Sequence, residues 1–388
     1  MNRKNGFTTV FLLTMLFLIA DRWYREVQYE KYAEDMAFYR HCMILEKNWV
    51  ANQQTKEGTI CLYEMEEEKE GVVVPYFSCM AALGMLAGDV SGRDLEVVEK
   101  YLSWHCAKIV QRDGVVSDYS ITDGELIAKN SYDSVDSYIA LYLKLLAVYA
   151  EKGGSLEDIP YAEESVDICV KRLKKLTCNG LTKVSESKDV YYLMDNLEVL
   201  EALEDMDRLL SSGNDCIMKW ASKESLAEYF KRTSKQSKQA IKSTFWNEQE
   251  ERFEIGVDGQ FSYLEYQKNG KFYPYAISQV YAVACNIDIL DKKTMQILYD
   301  KLSKEYEWVT LKHDTTFEWP VMSFISMKMG DVETTELYLE NYRKKYHVNR
   351  GYPFKVTDAA WAARTYEQLY IHYEKKANKG LIDFFLKR

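Results

Sequence analysis

Two acidic pairs stand out in this 388-residue sequence as groups able to do chemistry: Asp133 and Asp136 in "SYDSVDSYIALYLKLL", and Asp195 and Glu198 in "DNLEVLEALEDM". Within each pair the acids are three residues apart at the head of an apolar run with helical periodicity, so both would face one side of a first helical turn. Paired carboxyls in unlike environments can hydrolyse a bond between them, one ionised and one protonated. The same spacing fits the reciprocal capping box, and capping and catalysis are compatible for different members of one pair. Amides at a helix start would hold Asp133 and Asp195 ionised, suiting them to act as base, nucleophile or hydroxyl ligand. A proton donor needs burial or a neighbouring like charge, which Asp136 beside Asp133, or Glu318 between Phe317 and Trp319, would have. The expected catalytic set is therefore an ionised Asp133 or Asp195 activating water, with Glu318 or Asp136 protonating the leaving oxygen.

These acids need a scaffold that brings distant segments together, and the chain carries a repeat able to do it. Charged amphipathic helices are expected to begin near Asp21, Arg93, Leu156, Lys223, Lys292 and Asp331. Each precedes a loop and a second helix richer in Ala, Ser, Leu and Tyr, starting at Pro75, Asp133, Asp195, Pro274, Glu318 and Thr357. The loops inside each pair hold Gly58, Asp113-Gly114, Asn179-Gly180, Gly259, Gly270 and Gly351, and Asn-Gly or Asp-Gly steps favour tight hairpins. The returns between pairs are short. One polar and one apolar member per pair suit two concentric rings. The expected fold is all-α, an (α/α)6 toroid of six helical hairpins with short β-hairpin loops at the active-site end. An open solenoid of helical hairpins is the competing arrangement.

In a closed ring every inner helix would start at one mouth. Beside the four catalytic candidates, that mouth would present Tyr76, Asp118, Tyr132, Tyr138, Asn196, Glu198, Tyr275, Gln279, Trp319, Asp358 and Trp361. Acids alternating with aromatic rings suit a carbohydrate cleft, where rings stack on sugar faces and carboxyls bind hydroxyls or move protons. The 30 Tyr, 15 Phe and 8 Trp are consistent with such a lining.

Other chemistries find little support. A net charge of -10 argues against nucleic acid as a partner. Phosphate-binding glycine loops and the G-x-S-x-G elbow are missing from the sequence, so no cofactor is expected. The five histidines are scattered, with only His313 near the expected mouth, and the eight cysteines form no C-x-x-C, so no metal site is expected. The start, "MNRKNGFTTVFLLTMLFLIADRW", places Arg3 and Lys4 before a charge-free run from Gly6 to Ala20. As helix that run rises roughly 22 Å against a hydrocarbon core of about 30 Å, which fits an export signal peptide or a short signal anchor. Residues 1–20 are thus expected to take the chain out of the cell or hold it on the membrane's outer side, with residues 21–388 forming a single toroid domain.

With these features the sequence resembles the six-hairpin glycosidase superfamily over most of its length beyond residue 20. Within it, "YDSVDSYIALYLKLL" is similar to the D-x-D-L-D-I-A-Y-A-L segment of family-eight glycoside hydrolases, exported enzymes that often accompany bacterial exopolysaccharide synthesis. Asp136 falls on the last acid of that segment, Ser134 replaces the middle one, and "GVVVPYFSCM" stands where the family's general acid would lie. The resemblance implies a sugar-acting toroid without assigning the proton donor. A glycoside hydrolase acting on a polysaccharide or oligosaccharide is the leading expectation. A non-catalytic glycan-binding or scaffold protein, or a sugar lyase or epimerase on the same fold, are the alternatives.

Overall fold

The computed structural model describes residues 3–65, 70–213, 217, 219–265, 271–312, 319–346 and 349–381, with side chains described from residue 13. Twelve α-helices lie among the described residues, and they alternate as the repeat requires. The outer helices are α1 (Arg3–Asn52), α3 (Gly92–Gln111), α5 (Ala162–Leu176), α7 (Lys223–Phe245), α9 (Lys292–Glu305) and α11 (Val332–Tyr346). The inner ones are α2 (Pro75–Met85), α4 (Val135–Glu151), α6 (Leu193–Ser211), α8 (Tyr281–Ala284), α10 (Pro320–Met329) and α12 (Val356–Ala377). Contacts run from α2 to α4, α6, α8, α10 and α12 in turn and return from α12 to α2, so the ring closes.

The fourth inner helix departs from expectation. Its "PYAISQVYAVACNI" run is not one continuous helix; a π-turn at Phe272–Ala276 precedes the single turn of α8, and Tyr273 has extended backbone. At the other extreme α1 runs unbroken through residue 20 into the toroid.

Inner helices are apolar on most faces because they have no solvent side. In α4 nearly every residue from Val135 to Ala150 is buried, Lys144 included, and its ammonium meets Glu201 of α6 at 2.5 Å. Outer helices show the amphipathic stripe, as in α5, where Val166, Cys169, Val170 and Leu173 are buried and Lys174 and Lys175 end the helix.

The loops from outer to inner helix hold the strands. β1 (Glu70–Val73) pairs antiparallel with β2 (Tyr119–Thr122), which pairs with β3 (Glu125–Ala128) through a turn at Asp123 and Gly124. β4 (Thr177–Cys178) and β5 (Leu181–Thr182) close over Asn179 and Gly180, both at positive φ (51° and 85°), the conformation that favours Asn-Gly here. β6 (Val190–Tyr192) pairs across loops with β9 (Gly256–Asp258), and β7 (Trp246–Asn247) with β8 (Arg252–Phe253). Asp113-Gly114 instead ends α3 without a strand, although both residues take positive φ.

Closure depends on a close approach at the α2–α12 seam. A Cβ on Gly84 would lie 2.5 Å from the Ala360 Cα, nearer than carbon atoms tolerate. Gly84→Ala should therefore force the first and last inner helices apart and destabilise the fold by about 1–3 kcal/mol, despite alanine's better helix propensity. Urea unfolding of the two proteins side by side checks this, and equal or greater stability of the alanine variant would show that the seam is not tight.

Candidate active site

The starts of α2, α4 and α6 and the π-turn surround a cleft of about 410 Å³ at the strand-bearing end of the ring. Asp133 and Asp195 line it, with Ser134, Ser137, Tyr76, Phe77, Tyr192, Met194, Ile255, Tyr273, Pro274 and Ser278. A second concavity of about 390 Å³ shares Asp133, Ser134 and Tyr192 and adds Tyr132, so the two form one groove over the head of α4.

The acids stand in two tiers. Asp133 is exposed at the rim, and one carboxylate oxygen accepts the Ser134 amide at 2.8 Å. Asp195, partly covered within the first turn of α6, keeps one buried carboxyl oxygen with no hydrogen-bond partner. Behind them, fully enclosed, lie Asp136 and Glu198. Asp136 accepts from the Thr182 hydroxyl at 2.8 Å, and its other oxygen has no partner. Glu198 gathers three hydroxyls from three inner segments: Tyr76 at 2.8 Å, Tyr281 at 2.6 Å and Ser137.

Burial governs the protonation of all four. It pushes Asp136 up to about 7 and, with the Asp195 charge adding to it, Glu198 up to about 8. It raises Asp195 well above the ordinary carboxyl range, with Asp136 and Asp133 adding repulsion, and raises Asp133 against the pull of its single amide. The expectation that helix-end amides hold Asp133 and Asp195 low is thus corrected. Neither pair forms a capping box: Asp133 precedes the Ser134 N-cap, Asp195 lies inside α6, and neither N-cap makes a side-chain capping bond. The leading amides of the two helices are taken by loop carbonyls, Val135 by Val184 at 2.7 Å and Leu193 by Ile255 at 3.0 Å.

The other expected mouth residues divide. Tyr76 lines the cleft and Tyr132 the adjoining groove. Asn196 and Gln279 are buried backbone clamps instead. Asn196 holds Thr182 and the Tyr192 carbonyl, and Gln279 exchanges two bonds with Phe253, at 2.8 and 3.0 Å. Tyr138 is buried against the α3 end, its hydroxyl donating to the Gly114 carbonyl and accepting from the Val116 amide. Asp118 sits at the base of the β2–β3 hairpin, where the Ser131 hydroxyl donates to it at 2.9 Å. Tyr275 is half-buried in the π-turn and its carbonyl receives Gln279. Trp319 is buried against Phe272, Asp358 accepts the Lys355 amide at 3.0 Å, and Trp361 lies under Arg364 inside the ring. Glu318, Phe317 and His313 lie outside the described residues.

Tyr192, Ser137 and Tyr281 were not anticipated from sequence. Tyr192 closes a short strand, Ser137 stands between two predicted site residues, and Tyr281 follows the break in the fourth inner helix, so no periodic signal marks them. Among the described residues no group of three or more His, Cys, Asp or Glu side chains is placed to hold a metal ion.

No family model and no curated protein matches the chain. Solved structures do. One is a metal-independent alpha mannosidase of Streptococcus pneumoniae with a TM-score of 0.59 and 10% identity, covering 91% of this chain and 98% of that one. An alpha-amylase from Clostridium perfringens gives 0.54 and 13% over 84% and 97%, and a sugar epimerase from a ruminal bacterium gives 0.50 and 12% over 87% and 98%. These solved structures share this chain's toroid fold. The toroid of such proteins accounts for the ring and its strand-bearing mouth, and at these identities the likeness extends to the fold alone.

Glu198 offers a direct check on the inner tier. Its carboxyl titrates at an ordinary 4.5 when unfolded and near 8 when folded, so between those values the folded protein holds a proton that the unfolded chain has released. Stability should accordingly fall as pH rises from about 4.5 to 8. Glu198→Gln, which cannot ionise, should flatten that slope when urea unfolding is compared at pH 5 and pH 8. An unchanged slope would mean that Glu198 is ionised in the fold.

Proposed function

We propose that this protein is a glycoside hydrolase that cleaves α-linked hexose oligosaccharides by general acid/base catalysis. The reading rests above all on one observation: Asp133, just before α4, and Asp195, in the first turn of α6, share one cleft, Asp133 exposed at its rim and Asp195 partly covered with burial raising its carboxyl well above the ordinary range. Asp195 would pass its proton to the glycosidic oxygen as the bond to the anomeric carbon breaks. Asp133, at the open rim, would take the proton from the attacking water, whose oxygen joins the anomeric carbon. Asp136 and Glu198 act behind Asp195, since any charge there opposes its ionisation. Rings of Tyr76, Phe77, Tyr192 and Tyr273 supply flat faces for sugar. The preference for α-linked hexoses draws on the alpha mannosidase and alpha-amylase that share the fold.

Asp195→Asn should lower turnover of chromogenic α-hexosides by about 10²–10⁴-fold while leaving glycan affinity nearly unchanged, and Asp133→Asn should do likewise. Full turnover in both variants would remove this site. Glycan binding by the parent without turnover would instead favour a non-catalytic carbohydrate-binding protein, and a change of sugar configuration seen by NMR would favour an epimerase.

The same reading extends to location: an exported protein held at the membrane by its N-terminal segment. Supporting this, Leu13, Leu16, Phe17, Leu18 and Ile19 are all exposed on α1. They precede the point where α1 meets the end of α12, at the Arg25 bond to the Asn378 carbonyl (2.7 Å). Among the described residues no helix is long and apolar enough to cross a membrane. Removing residues 1–20 should move the protein from the membrane fraction to the soluble one, and an unchanged distribution would count against an anchor.

A further inference from the structure

A second cavity, of about 380 Å³, opens at the opposite end of the ring, among the C-terminal halves of the inner helices. Its chemistry differs from the acidic cleft. Five cations and four carboxylates line it, and most are matched to one another. Lys144 meets Glu201 at 2.5 Å, Lys152 meets Glu367 at 3.4 Å, and Arg208 meets Asp205 at 2.6 Å. Glu201 also accepts from Asn286 at 3.1 Å and Glu367 from the Gly88 amide at 2.7 Å, while Glu204 faces Lys238 at 3.7 Å. Every acid of the lining is therefore engaged.

Two cations are left over. Among the described residues neither Arg364 nor Lys328 has a carboxylate at ion-pair distance or a hydrogen bond to a carbonyl. Aromatic faces hold them instead. The Arg364 guanidinium carbon lies 4.1 Å from the Trp361 ring centre and 4.6 Å from that of Phe324, and the Lys328 nitrogen 5.4 Å from the same Phe324 centre. Rings against the faces of a guanidinium leave its edge, where the N–H donors point, free for an acceptor in its plane. Negative helix C-terminal ends explain why cations gather here, and Lys152 answers to that by donating to the Gly88 carbonyl at 3.0 Å. They do not explain two cations that donate to no carbonyl.

We propose that this basal cavity is a second binding site, for the phosphate or carboxylate group of a small molecule, with the Arg364 guanidinium edge and the Lys328 ammonium as its ligands. A planar two-point donor beside a point charge is the combination that recognises an oxyanion. The volume falls within the range that small-molecule pockets occupy. An anion would also relieve the repulsion between Arg364 and Lys328.

The test is independent of the catalytic reading, because it measures binding to the intact protein at the far end of the ring. Inorganic phosphate and acetate are titrated by calorimetry and by thermal unfolding, with sodium chloride holding ionic strength constant. At least one oxyanion is expected to bind saturably and raise the unfolding temperature. Lys328→Met and Arg364→Lys should each weaken it by about tenfold or more, as expected when a charge-assisted contact is lost, while Asp195→Asn should leave it unchanged. Phosphate binding without acetate binding assigns the site to phosphate, and the reverse to carboxylate. A response equal to that of chloride, or one undiminished by Lys328→Met, overturns the proposal. The Lys328 side chain is exposed, so its variant decides the matter even if Arg364→Lys fails to fold.

Discussion

The inner ring has no side turned to water, and the rest of the molecule follows from that constraint. A polar side chain on such a helix must find its partner on another helix or reach an end of the ring. Lys144 finds Glu201 across the α4–α6 contact, and Glu198 draws hydroxyls from Tyr76, Ser137 and Tyr281. These bonds tie neighbouring inner segments together at fixed heights. The ring is thereby held in register by its few polar groups as well as by its apolar bulk.

Desolvation also decides the chemistry at the mouth. The hydroxyls around Glu198 favour its charged form, as does the Thr182 hydroxyl at Asp136, yet burial outweighs both and leaves acids that titrate near neutrality. A carboxyl that water reached freely would be ionised there and unable to donate a proton. Enclosure by the ring is what separates the inner tier from Asp133 at the rim, giving unlike acids within one small volume.

Much of the architecture was legible in the sequence because it is written in local periodicity. Pro75, Lys223 and Lys292 begin helices where the pattern placed them, and Asn179-Gly180 turns the hairpin it signals. What escaped reading is set by contacts between distant segments. Asn196 and Gln279 look like mouth residues by position, but their amides are consumed by the backbone of strands β5 and β8, whose paths no helical period encodes. Tyr138 shares a helix start with Asp136 but points outward to the α3 end. Tyr281 was missed because the fourth inner helix breaks at its π-turn and shifts the face that meets Glu198.

The error about Asp133 and Asp195 carries a physical lesson for this architecture. A helix start is normally a place where free amides stabilise a carboxylate. Here strand-bearing loops later in the chain, one after α5 and one after α7, run back over the helix starts, and their carbonyls at Val184 and Ile255 take the leading amides of α4 and α6 first. The donors that would have kept the acids charged are spent on holding down the loops. Asp195 is left with a buried oxygen that no protein group satisfies, and adding a proton is the least costly state for such a group until a ligand enters the cleft. The strand-forming loops thus do more than shape the mouth: by occupying the helix-start amides, they remove from Asp195 the donors that would hold it as a fixed anion.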